Sequence, residues 1–184
     1  MANCKTLVYR PRQCASSSNK TLVYFITGNP GLIEYYETFL SHLCTLLSSP
    51  KNNEIDRDIS IVGRSLSGFQ TREPPGKLDL SDEPGNPPFG LEAQIERVER
   101  GVLLTANDSR VFDVDSLLDC NVEVILIGHS VGTYILLEVI RRLRSRDPQS
   151  LGFKVVGGIG LFPTVTHIAK SENGRILSVG STPN

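Results

Sequence analysis

The sequence predicts an α/β fold, a mostly parallel sheet with helices on its faces, and three observations carry that prediction. Apolar runs of strand length recur at 21–27 (TLVYFIT), 59–63 (ISIVG), 122–127 (VEVILI) and 154–162 (KVVGGIGLF), and segments with helical periodicity separate them. Such alternation favours parallel strands joined by right-handed crossovers. The run 21–27 is continuously β-branched and aromatic, as expected of a strand buried on both faces. Finally, two glycine-bracketed polar breaks, GNPG at 28–31 and GHSVG at 128–132, stand at the carboxyl ends of two runs. Parallel sheets bind their ligands at those ends.

Each element follows in order. KTLVYR at 5–10 is a short first strand. After 21–27 and the GNPG break, Leu32, Tyr36, Phe39, Leu40, Leu43, Leu46 and Leu47 recur at about 3.6 residues and mark an amphipathic helix closed by Pro50. Residues 65–90, rich in Gly, Pro and Ser, read as a long functional or mobile loop. Leu91, Ile95, Val98 and Val102 form one face of a second helix, with Glu92, Glu96, Arg97, Glu99 and Arg100 on the opposite, solvated face. A third helix spans 131–144 and stops near Asp147-Pro148, its cluster Arg141, Arg142, Arg144 placed to favour the helix dipole and the last carbonyls. Residues 163–184 form an irregular tail. The whole, 1–184, reads as one domain that is the N-terminal portion of a larger plan.

Composition narrows the function. Of 184 residues, 39% are hydrophobic and 21% charged, with a formal net charge of −1. That is ordinary globular composition without the basic stripe nucleic acid would need. Cys4, Cys14, Cys44 and Cys120 show no CxxC pair or metal-ligand spacing, so no metal or other cofactor is expected and the setting reads as reducing. The start, MANCKTLVYR, is too polar for a cleaved signal, so the chain is expected on the cytoplasmic side and not secreted. No apolar run approaches the roughly 18 residues that span a bilayer, so any membrane contact would be peripheral.

The two breaks carry the chemistry. A strand that reverses at once into a helix needs small residues two before and two after the central position, here Gly128 and Gly132 about Ser130. Such a turn presents Ser130 as a nucleophile. The backbone N–H of Val131, at a helix N-terminus, is then placed to stabilise the oxyanion of a tetrahedral intermediate. A second donor comes from the loop after an earlier strand. In GNPG, Pro30 has no N–H, so Asn29 is the candidate, with Gly28 and Gly31 permitting close approach. The plainer readings make Ser130 a helix N-cap and GNPG a turn with proline in the first helical turn.

Taken together, TLVYFITGNPG, GLEAQIERV, VILIGHSVGTYILLEVIRR and GIGLFPTVTHIAKSENGR, from Thr21 to Arg175, resemble the lipid droplet-associated hydrolase family of α/β-hydrolases. The resemblance implies a serine hydrolase acting on lipid esters at lipid droplets or the endoplasmic reticulum. It also implies an eight-stranded plan, of which this chain reaches the sixth strand. The lid, the two last strands, the catalytic acid and the histidine are expected beyond Asn184. In this fold the triad follows the order Ser, acid, His. After Ser130 the chain offers Glu138, Asp147, Glu172 and His167. Glu138 lies within the helix and Asp147 at its far end, so neither can orient a base. His167 follows the last strand by about five residues and starts on the correct edge for a base, but the family's pattern places its histidine after later strands, and a solvated loop histidine is the plainer reading. His129 is expected to point away from the pocket, and His42 reads as a surface residue of the first helix. A catalytically inactive module that binds a lipid surface or a protein is the second reading. An acyltransferase or thioesterase on the same scaffold is the third.

Overall fold

The computed structural model describes residues 6–10, 18–48, 58–69 and 90–165. The apolar runs become strands β1 (Thr6–Tyr9), β2 (Asn19–Ile26), β3 (Asp58–Arg64), β4 (Asn121–His129) and β5 (Lys154–Leu161), and the periodic segments become α1 (Glu37–Leu47), α2 (Leu91–Ala106) and α3 (Val131–Arg144). A short α4 (Pro148–Leu151) follows. The strands form one sheet in the order β1-β3-β2-β4-β5. β1 runs antiparallel to β3, and every other pairing is parallel. The α/β class with a mostly parallel sheet is thus borne out.

Period-two alternation sorts β2 between two cores. Leu22, Tyr24 and Ile26 face α2 and α3 together with Val124, Leu126, Ile95, Val102, Ile135 and Val139. Val23 and Phe25 face the other way, onto Ile33 and Leu40, with Ile61 and Ile127 alongside. Phe25, Leu22 and Leu40 are wholly buried, each worth about 1.5–3 kcal/mol relative to an exposed side chain. This is why 21–27 carries no polar alternation. Helix α1 is the only helix among the described residues that covers the second face, and Ile159 of β5 remains 47% exposed there.

Several local expectations are corrected. The first helix begins later than its apolar periodicity suggests: Ile33–Tyr36 is a 3₁₀ turn and the α-helix opens at Glu37. Another 3₁₀ turn, Ser109–Val111, is capped by Asp108, which accepts from the Arg110 backbone. The arginines closing α3 do more than neutralise carbonyls. Arg142 pairs with Glu92 and, at 3.6 Å, with Glu99, and Arg146 reaches Glu99 at 2.6 Å. Glu99 is therefore buried between α2 and α3, not solvated. A helix position predicted exposed by periodicity becomes buried when a neighbouring helix supplies its counterion. The predicted loop also begins inside the core, since Ser65, Leu66 and Ser67 are all buried. Across the sheet's other end, Lys20 and Asp58 form a buried ion pair between β2 and β3.

Candidate functional site

The site assembles where β2, β4 and β5 end at the same height. β2 pairs with β4 through Ile26↔Gly128, and β4 with β5 through Gly128↔Gly160 and His129↔Leu161. The three segments that follow, GNPG, Ser130 and Leu161–Thr164, are therefore neighbours although they are far apart in sequence.

Ser130 is the single residue between β4 and α3, and its backbone stands at φ +52°, ψ −122°. For a residue with a Cβ this left-handed conformation is strained. Neighbouring bonds hold it there. Its N–H donates to the Leu161 carbonyl at 3.0 Å, and its carbonyl accepts from Thr133 N–H at 3.0 Å and from Thr164 N–H at 3.2 Å. The side chain makes no capping bond to α3, so the plain N-cap role is not realised. Its Oγ lies instead 3.3 Å from the Thr164 hydroxyl. Val131 is the first residue of α3, where an N–H has no intrahelical partner.

The bracketing glycines are explained by contact. A Cβ on Gly128 would lie 2.5 Å from the Gly132 carbonyl oxygen, and one on Gly132 would lie 2.5 Å from the Thr27 carbonyl oxygen. Helix α3 thus starts directly against the ends of β4 and β2. Gly28 is equally close-packed: its Cβ would fall 2.7 Å from His129 Nδ1 and 3.0 Å from Ser130 Cβ. The loop after β2 therefore rests on the turn that carries Ser130. Asn29 and Pro30 are exposed at its tip, while Gly31 is buried with no space for a Cβ beside Leu66 and Phe69. Pro30 precedes the 3₁₀ turn and is not in a helical first turn.

His129 is half-buried, and its Nδ1 lies 2.9 Å from Tyr36 Oη. Tyr36 Oη also accepts from Gly28 N–H at 3.1 Å. The imidazole meets the Tyr36 ring edge-on at 5.5 Å between centroids and the Phe162 ring at 6.1 Å. Phe162 itself has a positive φ of 46° and is 85% exposed. Glu138 pairs with Arg141 on α3, and Asp147 caps α4 by accepting from Gln149 N–H. Both are occupied away from Ser130. His42 is exposed on α1. His167, Glu172 and residues 70–89 of the expected loop lie outside the described residues.

Residue type alone does not mark Tyr36 and Thr164 as neighbours of the Ser130 turn, nor Gln94 as a clamp on the nearby loop. The apolar period gives Tyr36 only a place on a helix face, and Thr164 is one residue within the run GIGLFPTVTHIAKSENGR. Gln94, in the QIE string, clamps Ser67 by accepting from its N–H and donating to its carbonyl, each at 2.9 Å. It closes one wall of a cleft between Arg64, Ser67 and Arg97 that does not include Ser130. Polar residues placed on apolar helix faces were the available signal for Tyr36 and Gln94; Thr164 had none.

Comparison with known proteins gives a consistent answer. The lipid-droplet associated hydrolase family model matches residues 19–181. The lipid droplet-associated hydrolase of Mus musculus is 31% identical over 167 residues, covering 88% of this chain and 43% of the mouse protein. Those of Gallus gallus and Homo sapiens are 29% and 26% identical, covering 86% of this chain and 41% and 42% of theirs. The chain thus spans less than half the length of these relatives. Among solved structures, one from Agrobacterium vitis S4 with a provisional hydrolase name superposes with a TM-score of 0.51 at 13% identity, covering 95% of this chain and 57% of that one. That likeness is one of fold.

Proposed function

The chain belongs to the lipid-droplet associated hydrolase family, and on that premise we propose that it carries the nucleophile half of a serine-hydrolase site for lipid esters. The observation that carries the proposal is Ser130 at φ +52°, ψ −122°, with no capping bond, at the carboxyl end of a central parallel strand. Strain of this kind costs about 1–3 kcal/mol and persists where the surroundings impose it. Here it turns a hydroxyl out of the helix ladder and away from the work of capping.

In the proposed reaction the Ser130 oxygen attacks the carbonyl carbon of a carboxylic ester, and its proton passes to a base. The alkoxide of the tetrahedral intermediate takes hydrogen bonds from Val131 N–H and Asn29 N–H. Collapse releases the alcohol, protonated by the same base, and leaves an acyl-serine that water hydrolyses. The closeness of Gly28 to Ser130 supports Asn29 as the second donor, since the Asn29 N–H belongs to the peptide that leaves this closely packed glycine. Gly31, packed on Leu66 and Phe69, anchors the far end of that loop.

Nδ1 of His129 is engaged by Tyr36, and both Glu138 and Asp147 are bonded elsewhere. His167 remains the candidate base within this chain. The ester substrate is proposed to be a lipid, met by peripheral contact at a droplet surface or the cytoplasmic face of the endoplasmic reticulum. The names of the relatives support the droplet setting. Among the described residues no helix is long and apolar enough to cross a membrane.

The test is labelling of the purified chain with a fluorophosphonate probe, alongside Ser130→Ala and His167→Ala. Labelling that disappears in Ser130→Ala identifies the nucleophile, and its further loss in His167→Ala identifies the base. Folded protein that takes no label would overturn Ser130 as an activated nucleophile in this chain.

A further inference from the structure

We infer that Tyr36 is a positioning residue that locks the GNPG loop to the turn bearing Ser130, and so sets the direction of the Asn29 N–H. The inference rests on the reading of Ser130 and Asn29 given above.

Tyr36 Oη stands between two groups that the chain keeps far apart: Gly28 N–H at 3.1 Å and His129 Nδ1 at 2.9 Å. An N–H can only donate, so the phenol oxygen accepts from Gly28. Its own single proton then needs an acceptor, and His129 Nδ1 is the one in reach among the described residues. In the inferred relay Gly28 N–H donates to Tyr36 Oη and Tyr36 O–H donates to His129 Nδ1, with Nδ1 unprotonated and Nε2 protonated; in the other tautomer Nδ1–H would donate to the phenol oxygen. A nitrogen that accepts this bond is not available to take a proton from Ser130, which assigns His129 a scaffolding part in place of a base.

The geometry leaves the phenol little freedom. Its ring packs against Phe25 at 4.8 Å and against the His129 ring at 5.5 Å, so the hydroxyl is aimed by contacts on both sides. Gly28 in turn lies flat on the turn, with its missing Cβ the only reason the backbones can meet. Pinning the Gly28 amide on one side and the Gly31 carbonyl on the other, where it accepts from Leu66 N–H at 2.8 Å, confines the two residues between them. Asn29 is one of those two. Misplacing such a donor by a fraction of an ångström weakens the bond it makes to a developing oxyanion.

The experiment uses the 184-residue chain and its Tyr36→Phe variant, which keeps the ring and removes only the hydroxyl. Nitrogen-15 chemical shifts of the His129 ring, amide exchange at Gly28 and the fluorophosphonate labelling rate at Ser130 are measured, with melting temperature as the folding control. The wild-type protein is expected to show His129 protonated at Nε2. In the variant, Gly28 should exchange about tenfold faster while the Leu126 amide of β4 is unchanged, and labelling should slow about tenfold. A role in packing alone would move none of the three. Protonation of wild-type His129 at Nδ1, or exchange at Gly28 that ignores the substitution, overturns the inference; so does undiminished labelling once Gly28 is freed. If the wild-type chain takes no label, the nucleophile reading fails by itself, and the ring shifts and Gly28 exchange still decide whether the tyrosine ties loop to turn.

Discussion

Replacing Ser130 by glycine and by alanine separates backbone strain from chemistry. Both variants lose the hydroxyl, so the 3.3 Å contact with Thr164 drops out of their comparison. Alanine keeps a Cβ at φ +52°, ψ −122° and with it a strain of about 1–3 kcal/mol. Glycine removes that strain but loses more entropy on folding, by roughly 0.5–1 kcal/mol. The difference favours glycine by up to about 2.5 kcal/mol, with a central value of about 1 kcal/mol. For a chain of this size each kcal/mol moves the melting temperature by about 2–4 °C, so Ser130→Gly should melt roughly 2–4 °C above Ser130→Ala. Thermal unfolding followed by circular dichroism measures this directly. Glycine outranks alanine at an ordinary helix N-cap as well, so both effects set the same order here. Equal melting points, or a more stable alanine variant, would refute the claim that the surrounding structure forces this turn on its serine.

Further expectations concern the frame around the turn. Gly132→Ala places a carbon 2.5 Å from the Thr27 carbonyl oxygen and 2.6 Å from that of Ile26, about 0.8 Å inside the shortest comfortable approach of roughly 3.3 Å. The helix-propensity gain of about 1 kcal/mol should be outweighed by 1–3 kcal/mol of overpacking against rigid backbone, giving a lower melting temperature; a rise would contradict the contact. Lys20→Ala leaves Asp58 buried, with side chains in the native pair only 4% and 7% exposed, and should cost about 3–5 kcal/mol in chemical denaturation, whereas Lys20→Met with Asp58→Leu should recover most of it. Asp108 provides a pH test: burial pushes its carboxyl up, but the Arg110 side-chain and backbone hydrogen bonds outweigh burial and hold it below the ordinary carboxylate range. A depressed folded-state value stabilises above the unfolded carboxylate range and is lost as pH falls through the folded one. The stability advantage of wild type over Asp108→Asn should therefore be complete at pH 6 and shrink progressively below pH 4. An advantage that grows on acidification would reverse the sign.

Much of this architecture was legible in the linear order of residues. β2 announced itself because both its faces are buried, so that Leu22 and Phe25 needed no polar alternation between them. Helix α3 was read to its observed ends, Val131 and Arg144, because its start is compelled by the glycine-bracketed serine and its stop by Asp147-Pro148. Backbone needs of that kind are local: spacing, missing side chains and missing N–H groups state them in a few residues. The strain at Ser130 was likewise foreseeable, since only a reversal from strand to helix demands glycine at both flanking positions.

What the order of residues did not decide was which side chains would meet. Glu99 looks solvated on a helical wheel and is buried because Arg142 and Arg146 of another helix reach it. Tyr36 occupies an apolar helical period, yet its hydroxyl joins Gly28 to a histidine 93 positions away. Thr164 comes beside Ser130 only because β5 pairs with β4 in one particular register, past an irregularity at Val124 and Ile125. Backbone conformation is settled by sterics within a few bonds, so the sequence by itself determined the turns, the strands and the serine they present. Hydrogen bonds and ion pairs between distant side chains depend on strand order, register and helix packing, and only the tertiary structure could decide those.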